Sequence, residues 1–152
     1  KLKLTDYFMI ISKKKIEVAN TIRHALLIED DVFCQKVQGH CLMELGYQVE
    51  IAGDAKTAIQ HVINNTYDLI VLDLGLPDQS GEKVITAARS YLSNQQTPLI
   101  VATAHADASL QQKCLYLGAD VVFIKPFSQK NLAEAIEFCL ARFCDLSQSV
   151  YR

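Results

Sequence analysis

The chain has too few of several things to support a number of common functions. Its five cysteines, Cys34, Cys41, Cys114, Cys139 and Cys144, are odd in number and nowhere spaced as CxxC. That excludes a disulfide framework and a cysteine-based zinc site, and reduced cytosolic thiols are expected. Net charge is only −2, and no arginine-rich or aromatic-interleaved patch stands out, so no footprint for nucleic acid is present. The apolar run Tyr7–Ile11 is too short to cross a bilayer and has charges on both sides, unlike a cleavable signal peptide. No membrane insertion of this fragment is expected, and a cytoplasmic location is. No GxGxxG follows the first apolar run, which removes the signature of a dinucleotide-binding fold. Charged residues make up 21% against 50% hydrophobic, a balance that argues against disorder.

What is there fits one domain: 152 residues can bury a core without staples. Residues 1–23 hold six Lys/Arg against two acids, leaving the remainder net negative. They read as a basic linker or lead-in, 24–143 as the domain and 144–152 as a C-terminal tail. The chain opens on Lys1 rather than on a methionine, and a piece of something longer is expected. From residue 24, short apolar runs alternate with segments of helical period, the pattern of βα units building a parallel sheet. Strands are predicted at Ala25–Ile28, Tyr47–Ile51, Leu69–Leu72, Leu99–Ala102 and Val121–Ile124. Leu69–Leu72, apolar at successive positions, should be central and buried on both faces.

Five helices should alternate with them. The first is capped by Asp31 and runs to about Leu45, with Val32, Val37, Cys41 and Leu45 inward and Gly46 as its stop. The second follows Asp54, carries Ala55, Ala58, Ile59, Val62 and Ile63, and closes at Asn64-Asn65. Glu82–Tyr91 and Ala108–Leu117 are the third and fourth. The fifth, Ser128–Phe143, should turn Leu132, Ala135, Ile136, Cys139 and Leu140 inward. The compact solution for such units is a doubly wound sheet, and ligands then sit beyond the C-terminal strand ends.

On that rim stand Glu29, Asp30 and Asp31 after the first strand, Asp73 at the third, Thr103 at the fourth and Lys125 at the fifth. A single acid at a strand end is as often a helix cap, and Asp31 reads as one. Glu29, Asp30 and Asp73 together are different, because clustered carboxylates repel unless a cation holds them. Oxygen ligands on an open rim suit Mg2+ better than calcium, which wants more protein oxygens, or zinc, which wants His or Cys. A carboxylate so neutralised can attack phosphorus and form an aspartyl phosphate, with Lys125 offsetting charge and the Thr103 hydroxyl meeting an oxygen of the phosphoryl group.

These stretches, LLIEDD, VLDLGLPDQSG, VATAHA and FIKPF, resemble in order the motifs of the receiver domains of two-component signalling, over about residues 24–143. The resemblance implies a flavodoxin-like five-stranded sheet of order 2-1-3-4-5. It implies Asp73 as phosphoacceptor and Asp30 and Asp73 as Mg2+ ligands, with Glu29 helping through water and Gly75 through its backbone carbonyl. Lys125 would bridge to the phosphoryl group, Thr103 would be the switch hydroxyl, and Lys125-Pro126 would be cis. Where the family usually has Tyr or Phe three residues before the lysine, this chain has Val122. Phe123 falls one later and should point the other way, into the core. Of the histidines, His24, His40 and His61 read as packing or surface residues, and His105 alone lies close to the site.

The resemblance implies a phosphoacceptor switch rather than a conventional enzyme, taking its phosphoryl group from a histidine kinase or histidine phosphotransfer domain. That partner should dock on the first helix and the loop after the fifth strand, including Phe127. LDLGLPDQSG and TAHA resemble the receivers of hybrid sensor histidine kinases, so the parent chain can itself be such a kinase. A free-standing single-domain regulator is the alternative. A haloacid-dehalogenase-type phosphatase, which also uses a strand-end Asp, needs a second Asp where Gly75 stands, and a pseudo-receiver would not need Glu29, Asp30, Asp73, Thr103 and Lys125 together.

Overall fold

The alternating apolar runs form the expected strands and the capped segments between them the expected helices. The computed structural model describes residues 22–149. The run Tyr7–Ile11 and nearly all of the basic lead-in lie outside the described residues, as do 150–152. The strands are β1 (Arg23–Ile28), β2 (Tyr47–Ala52), β3 (Leu69–Asp73), β4 (Leu99–Thr103) and β5 (Val121–Ile124). Between and after them run α1 (Val32–Glu44), α2 (Ala55–Asn64), α3 (Glu82–Ser90), α4 (Ala108–Leu117) and α5 (Gln129–Ser149). The five strands form one parallel sheet in the order β2-β1-β3-β4-β5, the order of the flavodoxin-like class.

β3 is central, and its side chains alternate between two cores. Ile70 and Leu72 join Leu26, Ile28, Val62, Ile85 and Val101 on the face covered by α2, α3 and α4. Leu69 and Val71 join Leu27, Leu42, Ile100, Leu132 and Ile136 on the face covered by α1 and α5. Each such side chain taken fully out of water contributes roughly 1.5–3 kcal/mol, and all four residues of β3 before Asp73 are buried and apolar.

Helix ends follow the expected chemistry. Asp31 accepts a hydrogen bond from the Cys34 N–H and Asp54 one from the Thr57 N–H, each tying down an orphan donor of the first turn. Ser128 Oγ accepts from the Asn131 N–H while Asn131 Oδ1 accepts from the Ser128 N–H, a reciprocal cap ahead of α5. Gly118 ends α4 at φ 117°, a left-handed conformation that favours glycine.

Three expected faces need correction. In α1 the buried residues are Gln38, Gly39 and Leu42, whereas Val32 and Val37 are exposed and Cys41 and Leu45 are half-buried. The inward stripe is rotated towards Gln38, which turns in to donate to the buried Glu29 carboxylate at 3.0 Å. Ile63 of α2 and Leu140 of α5 also reach solvent, each at the margin of an apolar stripe wider than the contact it covers. α5 runs to Ser149, beyond the expected end at Phe143.

Candidate functional site

Parallel pairing brings the C-terminal ends of β1, β3 and β4 to one rim, with Ile28 opposite Leu72 and Asp73 opposite Ala102. Glu29 and Asp30, just after β1, therefore meet Asp73, the last residue of β3, at a common cleft. Glu29 continues β1 by donating its N–H to the Ala52 carbonyl, and its side chain is almost wholly buried. Asp30 beside it is exposed and Asp73 half-buried. One carboxylate oxygen from each of the three lies within 4.8 Å of the others.

Lys125 follows β5, where its N–H donates to the Thr103 carbonyl, and its long stem reaches back across β4. Its ammonium lies 2.6 Å from Asp73 Oδ2 and 2.7 Å from Glu29 Oε2. Burial works against that ammonium, but hydrogen bonds and charges from Asp73 and Glu29 outweigh it and hold the Lys125 pKa above the ordinary lysine value. Three carboxylates still face one ammonium. The donor set is all oxygen with an unmet negative charge, which fits a hard divalent cation and not a soft one.

The loop after β3 is held rigidly. Asp73 Oδ1 accepts from the Gly75 N–H at 3.0 Å, and the Asp78 carboxylate accepts from the Ala55 and Lys56 N–H groups at 2.8 and 2.9 Å, clamping the loop to the start of α2. Burial raises the Asp78 pKa, yet those backbone donors overcome it and leave the pKa below its ordinary value. Gly81 closes the loop so tightly that a Cβ there would meet the Leu74 Cα at 2.9 Å. The acid on the loop is thus pinned from both sides.

Of the residues expected at the site, Glu29, Asp30, Asp73 and Lys125 come together. Thr103 stands on the same rim, nearly fully buried, with its hydroxyl accepting from the His105 N–H at 3.1 Å, so it is bonded to its own loop and not to Asp73. Gly75 meets Asp73 through its N–H. Lys125-Pro126 is cis. Phe123 packs on the α1/α5 side and stacks on Phe127 at 5.3 Å, while Val122 packs on the opposite face. His61 bonds with Tyr67 and lies near Glu50, and His40 lies near Glu44, all remote in sequence and partners from the rim.

Two glutamines of α1 escaped the sequence reading. Gln38 Nε2 donates to Glu29 Oε2 at 3.0 Å and Gln35 Nε2 to the Glu29 carbonyl at 2.7 Å. Only their spacing on one side of a helix that follows the acids could have signalled them. On the outer side of that helix, Phe33 (74% exposed), Cys34, Val37 and Cys41 face Pro126, Phe127 and Leu132 across an open apolar groove of about 450 Å³, with Lys125 at its edge.

Among known proteins, the profile of the family described as response regulator receiver domain matches residues 25–137. Response regulator ArlR of Staphylococcus saprophyticus is 36% identical over 120 residues, which is 77% of this chain and 52% of ArlR. Probable histidine kinase 2 of Oryza sativa is 30% identical over 129 residues, 74% of this chain and 12% of the kinase. The receiver domain of sensor histidine kinase PA1611 from Pseudomonas aeruginosa, solved with magnesium in its active-site cleft, superposes with a TM-score of 0.72 at 27% identity, over 80% of this chain and 99% of that one. The chain spans about half the length of the first curated relatives it matches.

Proposed function

The chain belongs to the response regulator receiver domain family, the phosphoacceptor module of two-component signalling, and we propose that Asp73 is its acceptor and that Glu29, Asp30, Asp73, Gly75, Thr103 and Lys125 make up the reacting site. The observation that carries this reading is the single ammonium of Lys125 bridging Asp73 and the buried Glu29 inside a cluster of three carboxylates. Asp30 and Asp73, with the Gly75 carbonyl and Glu29 through water, would hold Mg2+. When bound, that ion neutralises charge between the carboxylates and the incoming phosphoryl oxygens.

In the transfer an Asp73 oxygen forms the new O–P bond as the N–P bond of a phosphohistidine breaks. The bonding pair returns to the donor imidazole, which leaves neutral because its other nitrogen carries a proton. Lys125 then follows charge, shifting from the Asp73 carboxylate to the phosphoryl oxygens. The loop clamp at Asp78 and Gly81 keeps Asp73 in place while this happens. Thr103 would exchange its His105 bond for a phosphoryl oxygen, and the loop after β4 would follow.

The donor would be a helical domain of a histidine kinase or a phosphotransfer protein, docking in the groove between α1 and the Pro126–Phe127 turn, where exposed Phe33 offers an apolar anchor beside Lys125. We assign residues 24–143 as the receiver unit, 1–23 as a basic linker or lead-in and 144–152 as a C-terminal tail, within a hybrid sensor kinase acting on the cytoplasmic side. No helix among the described residues is long and apolar enough to cross a membrane. Acetyl phosphate with and without MgCl2 tests the assignment by intact mass. One added phosphoryl group that requires Mg2+ and is lost in Asp73→Asn is expected; undiminished labelling of that variant rules Asp73 out.

A further inference from the structure

Glu29 is a carboxylate with 1% of its surface exposed, and burying a charge is costly unless every oxygen is met. Its Oε1 accepts from the Asp31 N–H at 3.2 Å, and its Oε2 accepts from both Lys125 at 2.7 Å and Gln38 at 3.0 Å. Gln38 occupies the inward stripe of α1 beside Gly39 and Leu42, where packing alone would select an apolar residue. A buried amide in an apolar stripe needs a partner, and the partner here is the same oxygen that holds the lysine.

We propose that Gln38 is a positioning residue for phosphoryl uptake, holding Glu29 Oε2 so that Lys125 can leave it for the phosphoryl group on Asp73. This rests on the assignment of Asp73 as acceptor. With Gln38 present, the departure of Lys125 costs Glu29 Oε2 one of two partners. Without it, among the described residues, the same departure strands a buried carboxylate oxygen, and Lys125 stays with Glu29 instead. Gln35 fixes the backbone carbonyl of Glu29 and leaves its carboxylate untouched, so it has no such part.

The test uses beryllium fluoride, which caps a carboxylate as a tetrahedral phosphoryl mimic, together with MgCl2, on the wild-type chain and on Gln38→Met, which keeps length and packing but removes the donor. Amide shifts at Gly75 report Mg2+ alone; titration of beryllium fluoride at saturating Mg2+ reports Lys125 transfer. Gln38→Met should keep its Mg2+ affinity and bind beryllium fluoride about ten- to a hundredfold more weakly, the cost of one stranded buried oxygen. Gln38→Asn, whose amide is drawn back by one methylene, should show the same split, and Gln35→Met should bind both probes as wild type does. Beryllium fluoride affinity unchanged in Gln38→Met and Gln38→Asn overturns the proposal, as does an equal loss in Gln35→Met or a parallel loss of Mg2+ affinity. Failure of the wild type itself to bind beryllium fluoride would instead remove the assignment of Asp73.

Discussion

Replacing Lys125 by methionine should destabilise the protein in a way that magnesium partly repairs. The ammonium bridges Asp73 and Glu29 at 2.6 and 2.7 Å, and the Glu29 side chain is only 2% exposed. Removing one partner of a buried ion pair costs about 3–5 kcal/mol. Here Glu29 keeps Gln38 and the Asp31 N–H, and the side chains of Asp73 and Lys125 are 12% and 21% exposed, so about 2–3 kcal/mol is expected. The variant cluster also has one more unmet negative charge, so Mg2+ should bind it more tightly than it binds wild type. A tenfold gain in affinity would narrow the stability gap by about 1.4 kcal/mol at saturating Mg2+. The chain has no tryptophan, so urea unfolding followed by far-UV circular dichroism, with EDTA or with millimolar MgCl2, is the assay. The folded Lys125 pKa lies above the ordinary lysine value, so its stabilisation is fully present below about 10.4 and is lost only as pH rises through the folded value. The gap should therefore stay flat from about pH 6 to 9. A gap of the same size with and without Mg2+ would mean that the lysine and the metal do not share a site.

Thr103→Ala should still take up phosphate from acetyl phosphate but show smaller amide shifts over residues 103–107, because its hydroxyl is what ties that loop to the rim; shifts equal to wild type would contradict the ordering. Asn94→Ala should cost about 3 kcal/mol or more in urea unfolding with the phosphorylation rate unchanged. This fully buried amide donates to the Val62 and Asn65 carbonyls at 2.7 Å each and accepts from the Tyr67 N–H at 3.0 Å, and a loss under about 1 kcal/mol would refute it.

The strands and caps were legible because each rests on a local rule: continuous apolar runs for strands buried on both faces, Asp31, Asp54 and Ser128 for helix starts, Gly118 for a stop. The rim acids were legible because a parallel sheet gathers its strand ends at one edge. α1 was not, and the reason is physical. Periodicity finds apolar residues and assumes that the core is what attracts them. In α1, Phe33 and Val37 face outward across a groove beside Lys125, while the inward face carries Gln38 for the sake of a buried acid. Both departures lie on the one helix that follows Glu29 and Asp30, at the mouth of the cleft. Local pattern and tertiary role part company in α1 where apolar residues line an open groove and an interior residue must hold a charge. The helix that breaks its expected face in both directions lies at the same edge of the sheet as the acids, and composition and period alone do not reveal it.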